Sequence, residues 1–330
     1  MSGSTPSVLV VATGGTIGMR ETERGLALDP DFPDALEAMV SAVCSRLRAD
    51  YRINHLSPAI ESANADAETA PRLAASVRAR VRTVRPRGVV ILHGTDTLAH
   101  TAARLAFELD GLGAPVVVTG SQLPHGAPGT DAGSNLELAI RVALRANPDA
   151  PVSIAFGGEL VPAVRATKFQ AEALQAFRSE RPLAAGAVGA AKAGIPQQNP
   201  EPRSARVISF RFVPAVTADD LRAAVGGRPD GLVLECYGAG NAPTGRAGML
   251  DALREVCATV PVVAVTQCAT GRLDFARYAV ARDLAQAGVM PGGDMTLESA
   301  VAKLGYALDR GMRDAELRAV MGLNLVGERG

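Results

Sequence analysis

The sequence predicts an α/β protein with a larger N-terminal domain, built on a doubly wound and mostly parallel sheet, and a smaller C-terminal α/β domain. Short apolar runs at 8–12 and 89–92 are rich in β-branched residues and stop at glycine, as buried parallel strands do. Such runs alternate with helical patterns from residue 7 to about 180 and again after 206. The chain has 330 residues, and single cores seldom exceed ~250–300, so we expect two domains.

In the N-terminal domain, each helix is predicted from apolar residues spaced i, i+3, i+4 and i+7. One helix follows Pro33 and covers Leu36 to Leu47, and a second follows Pro71, with Thr69 as its N-cap. A third helix is predicted over 131–145. The apolar runs predict strands at 8–12, 51–56, 89–92, 115–119 and 152–156.

Residues 192–205 contain three prolines and no periodicity, which predicts a linker between a catalytic domain at 1–191 and a second domain at 206–330. Thr217 begins a Thr-x-x-Asp pattern that resembles a capping box at the start of a helix. The remaining patterns predict strands at 206–212, 231–236 and 261–266 and helices at 217–225, 245–256, 296–310 and 314–321.

Composition and motif spacing exclude several classes of function. Lysine plus arginine and aspartate plus glutamate both number 34, so no net charge attracts nucleic acid or an anionic membrane. The four cysteines form no C-x-x-C pair and have no histidine at zinc-ligand spacing, which indicates buried thiols in a reducing compartment and no metal site. No P-loop, dinucleotide fingerprint or G-x-S-x-G elbow occurs. Without a signal h-region or an apolar span, we expect a soluble cytoplasmic protein.

Two predicted strands end in threonines beside glycines. The first runs into Thr13-Gly14-Gly15-Thr16 and the second into His93-Gly94-Thr95-Asp96. Open α/β sheets bind ligands at the carboxyl ends of their strands, and a threonine nucleophile needs a base from another segment. Lys168 is a candidate base, although a lone lysine is usually a solvated charge and a glycine-rich strand end is often only a tight turn.

The chain resembles the bacterial-type L-asparaginases, particularly their cytosolic branch, nearly from end to end. The matching motifs are TGGTIGM (13–19), VILHGTDTLAHTA (90–102), PVVVTGSQLP (115–124), ATK (166–168), YGAGNAP (237–243), TQC (266–268) and AGVMPGGDMTLESAVAKL (287–304). The resemblance implies hydrolysis of the side-chain amide of L-asparagine to aspartate and ammonia, without metal or cofactor. It also implies a homodimer or homotetramer with active sites at the subunit interface.

For catalysis, the resemblance implies that Thr16 is the nucleophile that forms a β-aspartyl ester. Thr95, Asp96 and Lys168 form the second catalytic group, in which Lys168 takes the proton of Thr95 and Asp96 binds the substrate ammonium. Backbone N–H groups around Thr16 and Thr95 form the oxyanion hole.

For substrate binding, the resemblance implies roles for residues at the strand ends, in the 61–63 segment and in the YGAGNAP loop. Ser62 binds the α-carboxylate, and the partner subunit inserts Asn241 beside the site. The full set of predicted binding residues is Gly15, Glu61, Ser62, Ala63, Gly94 and Asn241.

Three departures from the family pattern bear on function. Leu26 stands where family members carry a tyrosine that hydrogen-bonds the nucleophilic threonine, and leucine cannot relay a proton. Asn64 replaces an aspartate at the substrate clamp, which leaves the ammonium more dependent on Asp96. Glu235 replaces a basic residue of a regulatory asparagine site, so we expect a hyperbolic rate curve against asparagine.

Three alternatives stay open. A shifted specificity, for glutamine or another small amide, is compatible with Leu26, Ala63 and Asn64. A non-catalytic sensor of asparagine or aspartate would keep the binding site without turnover. An ammonia-supplying component of a tRNA-dependent amidotransferase normally has an additional N-terminal domain, whereas this chain starts directly at its first strand, so that alternative is weak.

Overall fold

The computed structural model describes residues 7–184, 204–275 and 279–330. It divides into two compact units, the first ending at Ser179 and the second beginning at Glu180. The predicted fold class is confirmed, since the larger N-terminal unit has a mostly parallel sheet and the smaller C-terminal unit is also α/β. The predicted linker at 192–205 lies outside the described residues except for Ser204 and Ala205.

In the first unit, strands and helices largely alternate along the chain. In chain order they are β1 (Ser7–Ala12), β2 (Met19–Thr22), β3 (Gly25–Leu28), α1 (Phe32–Leu47), β4 (Asp50–His55), α2 (Thr69–Val84), β5 (Gly88–Leu92), α3 (Leu98–Glu108), β6 (Val116–Thr119), α4 (Ala132–Arg145), β7 (Ser153–Phe156), β8 (Glu159–Pro162), β9 (Thr167–Lys168) and β10 (Phe177–Arg178).

The main sheet has the strand order β4-β1-β5-β6-β7-β8, in which only β8 runs antiparallel to its neighbour. From β1, the chain first adds β4 on one side and then β5 on the other, so the strand order reverses at this point. A crevice for ligands is expected outside the carboxyl ends of the strands at such a switch point. The β1–β5 register pairs Ala12 with Leu92, which places the ends of both strands side by side.

Helices cover both faces of this sheet because successive side chains of a buried strand point to opposite faces. Val8 and Val10 of β1 belong to a core shared with α1 and α4. Leu9 and Val11 alternate with them and are equally buried, while α2 and α3 pack against each other and each contacts the sheet. The N-terminal sheet is therefore doubly wound, as predicted.

Two details differ from the sequence-based prediction. Thr69 is not the N-cap of α2 but its first residue, because its hydroxyl bonds with Asp66 and leaves Glu68 at the cap. Residues 19–28, which carry no strand-like alternation, form the antiparallel hairpin β2–β3; we call it the 19–28 hairpin.

The second unit holds a four-stranded parallel sheet in the order β11-β12-β13-β14. Its elements are β11 (Val207–Arg211), α5 (Ala218–Gly226), β12 (Gly231–Cys236), α6 (Met249–Thr259), β13 (Val262–Thr266), α7 (Ala279–Ala287), β14 (Met290–Pro291), α8 (Leu297–Asp309) and α9 (Asp314–Gly322).

Of two predicted helix starts in the second unit, one is confirmed and the other is wrong. The capping box at Thr217 is confirmed, because the Thr217 hydroxyl accepts from Asp220 N at 3.2 Å and the Asp220 carboxylate accepts from Thr217 N at 2.9 Å. The helix expected from residue 245 begins only at Met249, since Gly248 adopts φ 73° and forms its N-cap. In the described ranges, no helix is long and apolar enough to cross a membrane.

A buried ion pair closes the C-terminal end of the chain. Lys303 of α8 lies 2.6 Å from Glu328, and both side chains are 0% exposed. Glu328 also accepts hydrogen bonds from the backbone N–H groups of Leu325 and Val326. Lys303 donates in addition to the carbonyl of Leu323. The last residues are therefore held by α8.

All four cysteines are unpaired, but the prediction that they are buried is confirmed only for Cys44 and Cys236. Cys44 and Cys236 are buried, and burial raises their pKa values to about 11 and about 12, so they remain thiols. Cys257 is half-buried, and Cys268 is exposed in the loop after β13.

Candidate active site

The segments that follow β1 and β5 touch directly. The N–H and the hydroxyl of Thr13 both donate to the carbonyl of Leu92, at 3.0 and 2.7 Å. Two residues further on, Gly15 adopts φ 93°, and a Cβ at this position would lie only 2.4 Å from Gly94 Cα. Glycine is therefore required at Gly15 both by its backbone conformation and by the approach of Gly94.

Thr16 begins a single 3-10 turn, Thr16–Gly18, closed by a hydrogen bond of 3.0 Å from Gly18 N to the Gly15 carbonyl. Ile17 is buried below this turn, whereas the Thr16 side chain is half-buried. Its hydroxyl makes no hydrogen bond to any described residue. The hydroxyl is thus available to a small molecule that enters the crevice.

A third segment, after β4, joins the two strand ends. Ile60 N donates to the Thr13 carbonyl at 2.6 Å, and Ser62 is buried in the next short turn. A Cβ on Gly94 would lie 2.5 Å from the Ser62 hydroxyl oxygen. The Thr97 hydroxyl donates to the Ser62 carbonyl at 2.8 Å, which ties this segment to the one after β5.

Other residues of the predicted substrate clamp face solvent. Glu61, Ala63 and Asn64 are exposed, and the Asn64 side-chain amide donates to the Glu61 carboxylate at 3.0 Å. The residue that replaces the family's aspartate is therefore engaged within its own turn.

Lys168 reaches both residues that follow Gly94. Its Nζ lies 2.9 Å from Thr95 Oγ1 and 2.9 Å from Asp96 Oδ1. Thr95 is buried, the Lys168 side chain is 21% exposed, and the Asp96 side chain is 63% exposed. An amine within hydrogen-bonding distance of a buried hydroxyl can take its proton, while the exposed carboxylate remains accessible to a cationic group.

His93 lies beneath this turn and is fully buried. Its Nδ1 lies 2.8 Å from the Gly94 carbonyl, so Nδ1 must carry the hydrogen, and Nε2 has no partner in the described part of the chain. Burial lowers the pKa of His93, against a smaller opposing contribution from the Gly94 hydrogen bond, and the ring is neutral. His93 is thus held by packing and by one hydrogen bond to the backbone.

The 19–28 hairpin follows the Thr16 turn directly. Leu26 lies in β3 opposite Glu21 and is 50% exposed. The base of the hairpin is closed by a hydrogen bond from Asp29 N to the Gly18 carbonyl at 2.9 Å. His125, from the loop after β6, lies 3.7 Å from the Asp29 carboxylate at this base, a position that its sequence context did not reveal.

Asn241 lies in the second unit, in the loop between β12 and α6. Its backbone N–H and carbonyl both bond to Tyr237, each at 2.9 Å, which closes the Gly238–Gly240 turn. No group of three histidine, cysteine or acidic side chains within the described ranges is placed to hold a metal ion.

Comparison with known proteins gives consistent matches over the whole chain. The family model for the N-terminal domain of asparaginase matches residues 7–200, and the model for the glutaminase/asparaginase C-terminal domain matches 206–321. L-asparaginase 1 of Escherichia coli (strain K12) is 32% identical, covering 98% of this chain and 97% of the relative. L-asparaginase I of Vibrio cholerae superposes with a TM-score of 0.84 at 29% identity, covering 99% and 100%. A glutamyl-tRNA(Gln) amidotransferase subunit of Methanopyrus kandleri is 30% identical, covering 98% of this chain and 75% of the relative.

Proposed function

The chain belongs to the asparaginase family, and on this basis we propose that it hydrolyses the side-chain amide of L-asparagine to L-aspartate and ammonia. The observation that supports this most directly is the position of Lys168 Nζ, 2.9 Å from both Thr95 Oγ1 and Asp96 Oδ1. These groups follow Gly94, which touches Gly15 beside Thr16. Two hydroxyls, one with a neighbouring amine, thus lie at one crevice.

In the proposed reaction, the Thr16 hydroxyl oxygen attacks the amide carbon and gives up its proton. Backbone N–H groups around Thr16 and Thr95 bind the oxyanion, and its collapse expels the amide nitrogen, which leaves with a proton as ammonia. A water molecule then attacks the threonine ester and releases aspartate. The half-buried Thr16 hydroxyl, free of hydrogen bonds to described residues, supports this role.

Proton transfer is assigned to the Thr95–Lys168 pair. The Lys168 amine takes the proton of Thr95, which in turn accepts that of Thr16, and the Asp96 carboxylate 2.9 Å away stabilises the ammonium that results. Leu26 cannot take part in proton transfer, so this role falls to Lys168 and Thr95 alone.

The substrate is held at both of its charged ends. The exposed Asp96 carboxylate binds the α-ammonium, and Ser62 binds the α-carboxylate. Glu61, Ala63 and the glycines Gly15 and Gly94 shape the remaining walls. This arrangement orients the side-chain amide of an amino acid towards the threonines.

We extend the proposal to assembly and localisation. A second copy of the chain supplies Asn241 beside the site, which makes a homodimer or homotetramer the active form. The unpaired cysteines are in keeping with the reducing cytoplasm. With Glu235 half-buried and paired with Arg211 at 3.3 Å, we keep the expectation of a hyperbolic rate curve.

The experiment is ammonia release from L-asparagine by the purified protein. We expect turnover by the wild type and a loss of about 10²–10⁴-fold in Thr16→Ala, Thr95→Ala and Lys168→Met. Thr83→Ala, on the exposed face of α2, is the matched control and should be fully active. A folded wild type that releases no ammonia at millimolar asparagine would exclude the proposal.

Two observations keep a shifted specificity as the second candidate: Leu26 stands on the hairpin, and Asn64 is engaged by Glu61. Parallel rates with asparagine, glutamine and other small amides decide between the two. A sensor would instead gain thermal stability from asparagine or aspartate without hydrolysis. A component of a tRNA-dependent amidotransferase, as suggested by the Methanopyrus kandleri relative, would need its partner before it released ammonia.

A further inference from the structure

The carbonyl of Ile17, the residue after Thr16, is held by His125. It accepts the backbone N–H of His125 at 3.3 Å and lies 3.1 Å from the imidazole Nδ1. Because a carbonyl can only accept, Nδ1 carries a hydrogen and donates it. One residue therefore fixes the turn that presents the Thr16 hydroxyl.

The other edge of the same imidazole faces the 19–28 hairpin. Nε2 of His125 lies 3.7 Å from a carboxylate oxygen of Asp29, which closes the base of the hairpin. Arg20 of β2 lies 3.7 Å from the other oxygen of Asp29. The charged groups that face the imidazole are thus Asp29 and, through it, Arg20, while the ring of Phe32 packs on it at 5.4 Å between centroids.

His125 itself stands on a fixed loop. The buried carboxylate of Asp131, at the start of α4, accepts the backbone N–H groups of Gln122 and Leu123 at 3.0 and 3.1 Å. The side-chain amide of Asn135 donates to the same carboxylate at 2.9 Å. The imidazole can therefore transmit a restraint from α4 to the Thr16 turn.

We propose that His125 is a positioning residue for the reaction, which clamps the Ile17 carbonyl and the Asp29 carboxylate so that the Thr16 turn and the hairpin keep one geometry. This inference rests on the proposed function. The ring faces an acceptor on each edge, so both edges are satisfied when both nitrogens carry hydrogen.

The test uses three substitutions that separate the two edges. His125→Asn keeps a donor near Nδ1 for the Ile17 carbonyl, His125→Gln keeps one near Nε2 for Asp29, and His125→Leu keeps neither. We expect His125→Leu and His125→Gln to lose about 10- to 100-fold in kcat, since a misplacement of about 1 Å has such an effect, with KM within about threefold. His125→Asn should stay within about threefold of the wild type in kcat, because it still donates to the Ile17 carbonyl. His100→Asn, on the exposed face of α3, is the control.

A second readout does not depend on activity. The exposed Arg24 at the tip of the hairpin is a trypsin site, and its cleavage should be at least several-fold faster in His125→Leu than in the wild type or in His125→Gln, which keeps a donor for Asp29. A wild type inactive on asparagine would refute the proposed function, while trypsin still tests the clamp. A folded His125→Leu with wild-type kcat and wild-type cleavage would overturn the inference. So would equal losses in His125→Asn and His125→Leu, because packing of the ring would then explain both.

Discussion

The contact between Gly15 and Gly94 predicts a large loss of activity in Gly15→Ala. The added Cβ would lie 2.4 Å from Gly94 Cα and 2.5 Å from Gly94 N, and both are backbone atoms that no rotamer change can move aside. Ordinary contact begins near 3.4 Å, so the segments after β1 and β5 must separate by about 1 Å. Such a displacement between catalytic groups costs about 10²-fold in kcat/KM.

The substitution also strains the backbone, because Gly15 adopts φ 93°. A side chain in the left-handed region costs about 1–2 kcal/mol in the free energy of unfolding. Gly111→Ala is the matched control: its φ is 69°, and nothing lies within 4 Å of the added Cβ. It carries the conformational strain without the collision.

The assay measures kcat/KM for ammonia release together with urea unfolding of both variants. We expect both to lose stability, Gly15→Ala the more, and only Gly15→Ala to lose activity. A folded Gly15→Ala with kcat/KM within threefold of the wild type would refute the view that this contact sets the geometry of the site. Equal losses of activity in both variants would show that strain alone is responsible.

Three further predictions follow from single contacts. Thr97→Val removes the hydrogen bond to the Ser62 carbonyl and should raise KM for asparagine about 3- to 10-fold in steady-state kinetics, whereas Thr97→Ser should restore it. Burial lowers the pKa of His93 below its ordinary 6.5. As pH falls, His93 of the unfolded chain therefore binds a proton while His93 of the folded chain is still neutral. Between pH 7 and pH 5, the free energy of unfolding measured with urea should therefore decrease less for His93→Asn than for the wild type, by up to about 1.36 kcal/mol per pH unit. Equal decreases would contradict this. Lys303→Met leaves Glu328 buried without its partner and should lower the free energy of unfolding by about 3–5 kcal/mol, with partial recovery in the double variant Lys303→Met/Glu328→Gln.

The buried sheet could be predicted from sequence because its strands are uninterrupted apolar runs. Val8–Ala12 and Val89–Leu92 bury both faces, so their pattern is independent of the rest of the fold. The 19–28 hairpin and β8 carry a weaker signal, since most of their residues are exposed and no alternation marks an inner face. Such edge elements are specified by pairing and not by burial.

The candidate site likewise contains some features that could be predicted from sequence and others that could not. That the segments of Thr16 and Thr95 lie close together could be predicted, because a parallel sheet brings the carboxyl ends of its strands to one edge. The contacts of Thr97 and His125 could not be predicted, since each is a hydrogen bond to a backbone carbonyl, and any residue supplies a carbonyl. The Ile17 carbonyl lies 108 residues from His125 in sequence, and no local pattern links them.

The neighbouring positions of β1 and β5 also determine when the folding chain can become active. Thr13 is 79 residues from Leu92, and Lys168 is 73 residues from Thr95, so these two pairings in the crevice close long loops. A chain still leaving the ribosome has both threonines well before it has the lysine. Recovery of ammonia release during refolding should therefore follow both the formation of these long-range contacts and the association of the subunits, whereas helix signals in the far ultraviolet report earlier and more local events.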